Sequence, residues 1–207
     1  MVRRYENTTL GKQELYGHIM DDVEGALWNR ALIERNRVRR APETFARIVV
    51  GVDPKASKSA VYSKTGIVVT GATSERIGYV LEDASTGGGP QQWGKKAVAC
   101  YKNWGADAIV VEVNQGGDMV AEVIRGIDQE VRIIEVRATR GKSTRAEPVV
   151  QLYEQNRMKH VGMQADLEDQ MCSWIPGDDS PDNLDALVWS TTGLKLQPGR
   201  AISVGAY

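Results

Sequence analysis

Apolar positions recur along this chain in two textures, and the change between them falls near residue 46. Up to about Pro42 the chain is charged. The segment DVEGALWNRALIERNRVRR (residues 22–40) predicts an amphipathic helix, with Leu27, Ala31, Ile33 and Val38 among its apolar residues. Arg35, Arg37, Arg39 and Arg40 then form a basic run ahead of Pro42, which reads either as a solvated helix end and linker or as a nucleic-acid contact. From Ala46 onwards, short β-branched runs alternate with turn residues. ARIVVGVD predicts a buried strand ending in Asp53, and SAVYSKTGIVVTGATSE and RIGYVLEDAST predict two more. Gly87, Gly88, Gly89 and Pro90 break the chain. QQWGKKAVACYKNWG has helical spacing and stops at Gly105, ADAIVVEVN is a strand, GGDMVAEVIRGI a helix and VRIIEVRA a further strand. A helix over about 143–157 and two shorter helical pieces, about 167–174 and 183–194, complete the pattern. Three strands followed by strands alternating with helices predict an α/β fold, a mixed β-sheet flanked by helices.

Composition narrows the chemistry. The 207 residues suit one domain with a short appendage, and a 42% hydrophobic content is enough for a buried core. The formal net charge of −1 gives no overall footprint for nucleic acid, so a DNA surface has to come from local clustering. Two cysteines far apart argue against a disulfide scaffold, and with only two histidines, His18 and His160, a zinc site is hard to assemble. No apolar run reaches the ~18 residues of a membrane span, and the N-terminus lacks a signal-peptide core, so a soluble, cytoplasmic protein is expected.

Acidic residues mark the strand ends. Asp53 closes RIVVGV and Glu112 closes AIVV, and in open α/β sheets ligands gather beyond such ends. Asp182 and Asp185, three apart in SPDNLDALVW, can share one helical face. Each has an ordinary explanation taken alone: a turn cap at Asp53 before Pro54, a helix N-cap at Asp182 or Asp185. Together they fit a different one. Carboxylates held close repel, and a hard divalent cation such as magnesium or manganese is the usual compensation.

At this point the residues resemble a known family. GVDP (51–54), VVEVNQGGDMV (110–120), RGKSTRAEPV (140–149), LEDQM and SPDNLDALVW look like the nuclease half of the large terminase subunit, the DNA-packaging motor of tailed bacteriophages. The resemblance runs from about Ile48 to Leu194. It implies a ribonuclease-H-like fold and an endonuclease that cuts concatemeric double-stranded DNA. By motif position it implies Asp53, Glu112 and Asp185 as catalytic metal ligands, with Asp182 as a further ligand or a supporting group. Two Mg2+ or Mn2+ ions are expected, Asp53 bridging both, Glu112 holding one and Asp185 the other, so that a bound water attacks the phosphorus in line. Asp118 is a weaker candidate whose expected job is to start a helix.

The resemblance also implies partners: DNA, the small terminase subunit and the portal protein, in the cytoplasm of an infected bacterial host. Residues 1–45 are then expected as a helical linker from an ATPase half, and 46–207 as the nuclease domain. Gly141-Lys142-Ser143 is not a phosphate-binding loop, because Val136 stands where its first glycine belongs, so no ATP hydrolysis is expected. Arg137, Arg140, Lys142 and Arg145 form the best basic patch for DNA phosphates, and Lys55 and Lys58 follow Asp53 directly. Trp93 and Trp104 read as core. Rival readings are a non-catalytic docking module of the packaging motor, a junction-resolvase or transposase-type nuclease, and an ATP-dependent kinase or actin-like protein. For the last, KASKSAVYSKTG is a poor phosphate loop.

Overall fold

In the computed structural model, residues 22–54, 64–113, 118–137 and 142–196 are described. The run RIVVGVDP forms the central strand β2 (Arg47–Pro54), apolar on both sides because helices cover both faces of the sheet. It pairs antiparallel with β3 (Lys64–Ala72), which pairs antiparallel with β4 (Gly78–Asp83) and, at its start, with the two-residue β5 (Thr86–Gly87). On its other edge β2 runs parallel to β6 (Ala108–Glu112), and β6 parallel to β7 (Ile133–Val136). Beyond β4 lie β8 (Met158–Val161) and then β1 (Arg37–Val38), both parallel to their inner neighbours. The order β1-β8-β4-β3-β2-β6-β7 is the mixed, ribonuclease-H-like sheet that the sequence resemblance implied.

Strand alternation sends successive residues of β2 into different cores. Val50 and Val52 join Ile67, Val69, Ile109 and Val111 beneath helices α2 (Pro90–Asn103) and α3 (Asp118–Ile127). Val49, Val68 and Val110 join the opposite core, shared with α4 (Lys142–Glu154), α5 (Ala165–Ser173) and α6 (Asp182–Leu194). Trp93 is buried, and half-buried Trp104 donates its indole N–H to Glu82 Oε2 at 2.7 Å, so both are structural.

The N-terminal expectation is corrected. The helix α1 spans only Arg30–Arg35. Asn29 caps its start, its side chain accepting from Leu32 N at 2.8 Å, and Asn36 ends it by donating to the Leu32 and Tyr153 carbonyls at 2.9 Å each. Arg37 and Val38 are then taken as a strand by β8, itself a strand the apolar pattern did not reveal. Trp28 and Ile33 belong to the same core as β2 and α6.

A buried polar network fastens this edge. Glu168 of α5 receives both guanidinium nitrogens of Arg37, at 2.9 and 2.8 Å, and His160 Nδ1 of β8 at 3.0 Å. The Tyr153 hydroxyl faces His160 Nε2 at 2.7 Å. Burial pushes the Glu168 carboxyl up, but the hydrogen bonds from His160 and Arg37 outweigh it and hold the group at about 2, against an ordinary value of 4.5. A depressed folded-state value stabilises above the unfolded one, so this contribution is complete above pH 4.5 and is lost as pH falls toward 2. Its size is on the order of 3 kcal/mol. Thermal melts of the wild type should therefore fall steeply across that window. Glu168→Gln should melt lower at pH 7 and show a shallower fall, and equal slopes would remove Glu168 as the cause.

Candidate active site

Register decides where the strand-end acids meet. The β2–β6 ladder pairs Val52 with Val111, which sets Asp53 beside Glu112 on strands about 4.8 Å apart. Both occupy one face. An ideal Cβ on Gly51, two residues before Asp53, points at α6, and Val110, two before Glu112, lies against Gly193 of α6. The two carboxylates therefore share the α6 side of the sheet, at the C-terminal edge of β2 and β6.

The helix reaches this edge because two glycines let it approach. A Cβ on Gly66, the register partner of Asp53, would stand 1.9 Å from the Asp182 carbonyl oxygen, and one on Gly51 would stand 2.1 Å from that of Ala186. The first turn of α6, with Asp182 and Asp185, is thus laid over the start of β3 next to Asp53. Asp182 and Ala186 are one turn apart and face the sheet. Asp185 is one turn before Trp189, whose ring lies under the Arg145 guanidinium at 4.5 Å, on the flank that leads to Glu112. Asp185 is 7% exposed, and the Ser180 hydroxyl donates to its Oδ2.

Three residues with no assigned role in the sequence reading hold that turn in place. Pro181 precedes α6 and offers no side-chain cap; instead Gln170 of α5 reaches across, its Oε1 accepting from Asn183 N at 3.1 Å and Leu184 N at 3.3 Å. The Asn183 amide donates to Asp83 Oδ2 at 2.8 Å. Asp83 faces α6 only because β4 shifts register against β3: Val69 opposes Glu82, yet Thr70 opposes Val80. The extra residue turns both Leu81 and Glu82 to the α2 side and brings Asp83 round to the other. Gln170→Ala should cost about 1 kcal/mol, the usual scale of a lost N-cap, measurable as a lower melting temperature.

The basic candidates fall in three places. Arg137 is exposed immediately after β7. Lys55, Lys58 and Arg140 lie outside the described residues; Lys142 opens α4, but its side chain, like that of Asp118 at the start of α3, is outside them too. Arg145 does not project outward with a DNA surface. Its side chain is 14% exposed, and Nη1 stands 3.4 Å from Glu112 Oε1.

The donors gathered here are carboxylate oxygens, the ligand type that hard divalent cations favour. The described cysteine and histidine side chains are elsewhere: Cys100 and Cys172 are buried, their thiols pushed up by burial to about 11 and about 12, and His160 is committed to Glu168 and Tyr153. Among the described residues, no group of three or more carboxylate, imidazole or thiolate side chains is placed to hold an ion unaided. What the fold supplies is a pair of adjacent carboxylates facing an acidic helix turn. No described helix is long and apolar enough to cross a membrane.

Comparison with known proteins gives a consistent picture. No curated protein matches by sequence. Among solved structures, the large terminase of the thermophilic bacteriophage D6E superposes with a TM-score of 0.61 at 9% identity, over 80% of this chain and 44% of that one. The chain thus spans under half the length of that relative. The large terminase nuclease of thermophilic phage G20c with bound cobalt gives 0.60 at 9% identity, over 82% of this chain and 98% of that one. The human cytomegalovirus terminase nuclease domain, soaked with manganese and bound to an inhibitor, gives 0.60 at 13% identity, over 81% and 95%. Identities this low speak for the fold alone. The family model for the terminase RNaseH-like domain, however, matches residues 50–191, which takes in Asp53, Glu112 and the acidic turn of α6. The chain belongs to the terminase RNaseH-like domain family.

Proposed function

We propose that this chain is the metal-dependent endonuclease of a viral DNA-packaging terminase, cutting concatemeric double-stranded DNA by two-ion phosphodiester hydrolysis. The observation that carries the reading is the register that sets Asp53 beside Glu112, under the first turn of α6. Asp53, Glu112 and Asp185 would hold Mg2+ or Mn2+, with Asp182 at the rim. Bound there, such ions supply an activated water and stabilise the leaving oxygen. The protein's own part is positional. β2 and β6 fix two carboxylates on a rigid sheet, while Gln170, Asn183 and Asp83 fix the third on α6. Ser180 orients the Asp185 carboxylate by donating to its Oδ2.

Relatives of this fold solved with cobalt or manganese support a divalent ion here. DNA is the substrate of the reading, with Arg137, Arg140, Lys142, Lys55 and Lys58 as its phosphate contacts. The portal protein and small terminase subunit are the proposed partners, in the cytoplasm of an infected bacterial host.

Incubating the purified chain with supercoiled plasmid tests this. Nicking and linearisation with Mg2+ or Mn2+, abolished by EDTA, is the expected result. A chain that takes up Mn2+ yet cuts no DNA would move the reading to a docking module of the motor.

A further inference from the structure

Arg145 is placed unlike any other cation of the described structure. It rises from the first turns of α4, but its guanidinium turns inward, 4.5 Å from the centroid of the Trp189 ring, and stands 3.4 Å from Glu112 Oε1. Both members of that ion pair are largely screened from water, at 14% and 13% side-chain exposure. Nε and Nη1 of Arg145 are buried and make no hydrogen bond with any described group. The guanidinium is therefore held by its stack on Trp189, with donors in reserve on the side where Glu112 stands. A planar cation stacked on an indole can rotate little, so it presents those donors along a fixed direction.

We propose that Arg145 is a positioning residue for Glu112: it takes one carboxylate oxygen and so directs the other toward the ion that Glu112 shares with Asp53. This rests on the metal-nuclease reading above. Two adjacent carboxylates repel and would turn away from each other when no ion is bound. A cation paired with Glu112 and anchored on a different helix, by its stack on Trp189, offsets that repulsion and holds the carboxylate in one orientation. Groups that hold a ligating carboxylate from behind are worth about 10- to 100-fold in metal affinity when removed. The same guanidinium would act otherwise if it bound a DNA phosphate. It would then set DNA affinity and leave the metal unaffected.

Calorimetric titration of the full chain with Mn2+ separates these roles, run beside DNA binding by fluorescence anisotropy in EDTA. In Arg145→Gln, Mn2+ binding should weaken about 10- to 100-fold while DNA affinity in EDTA changes less than about 2-fold. Arg145→Lys, which keeps the charge but not the planar stack, should recover part of the loss; it also serves if the glutamine variant folds poorly. Unchanged or tighter Mn2+ binding in both folded variants overturns the proposal, and does so in favour of a phosphate contact if DNA affinity falls instead. A wild-type chain that takes up no Mn2+ removes the metal-site reading itself, and this inference with it.

Discussion

Asp53→Asn is expected to abolish metal-dependent DNA cutting while leaving the fold as stable as the wild type. The substitution is nearly isosteric, and Asp53 stands half-buried in the last two residues of β2, opposite Gly66. What changes is the donor set. Asparagine offers one neutral carbonyl in place of a carboxylate, and hard divalent ions depend on that charge. The loss should exceed the roughly 100-fold that removing a mere supporting group costs. The change also relieves the repulsion from Glu112 in the metal-free protein, so its melting temperature should stay close to that of the wild type. Plasmid nicking in Mn2+ and a thermal melt on the same preparation check both halves. Full activity in the variant would take Asp53 out of the mechanism, and a collapsed melt would make it structural.

Gly51→Ala carries the largest expected effect on stability. The added methyl would stand 2.1 Å from the Ala186 carbonyl oxygen and 2.8 Å from the Ser190 nitrogen, both backbone atoms of α6 that cannot swing aside as a side chain can. The helix has to lift from the sheet, opening the core that Leu184 and Leu187 share with Val49 and Val68. Overpacking against backbone should cost about 3 kcal/mol or more, a fall of roughly 6–12 °C in a chain of this size. Because α6 carries Asp182 and Asp185, activity should drop even below the new melting temperature. Gly126→Ala is the matched control. It lies inside α3, its Cβ would meet nothing within 4 Å, and there the same change should stabilise by about 0.5–1 kcal/mol. Equal melting of Gly51→Ala and the wild type would show that the contact of α6 with β2 at Gly51 does not limit stability.

These two residues also show how much the sequence discloses. The central strands and most helices are legible in local pattern. RIVVGVD, GIVVTGA and AIVVE are β-branched runs buried on both faces, a signal local enough to survive without tertiary information. The sequence also singled out Asp53 and Glu112, because charges at the ends of apolar strands are costly and so conspicuous, and Asp182 and Asp185 by their spacing on one helical face. Strand β8 escaped because its inward positions are Met158 and His160, and a buried histidine breaks the apolar alternation. The helical reading of residues 22–40 misled for the opposite reason: Arg37 and Val38 fit a helix locally, but β8 offered them a ladder. The rest was settled by long-range packing. Which face each carboxylate takes follows from the β2–β6 register and the α6 packing; that Asp83 joins the α6 side follows from a one-residue bulge; and that Arg145 turns inward follows from where Trp189 lies. Those outcomes depend on partners tens of residues away, and a one-dimensional pattern holds no record of them.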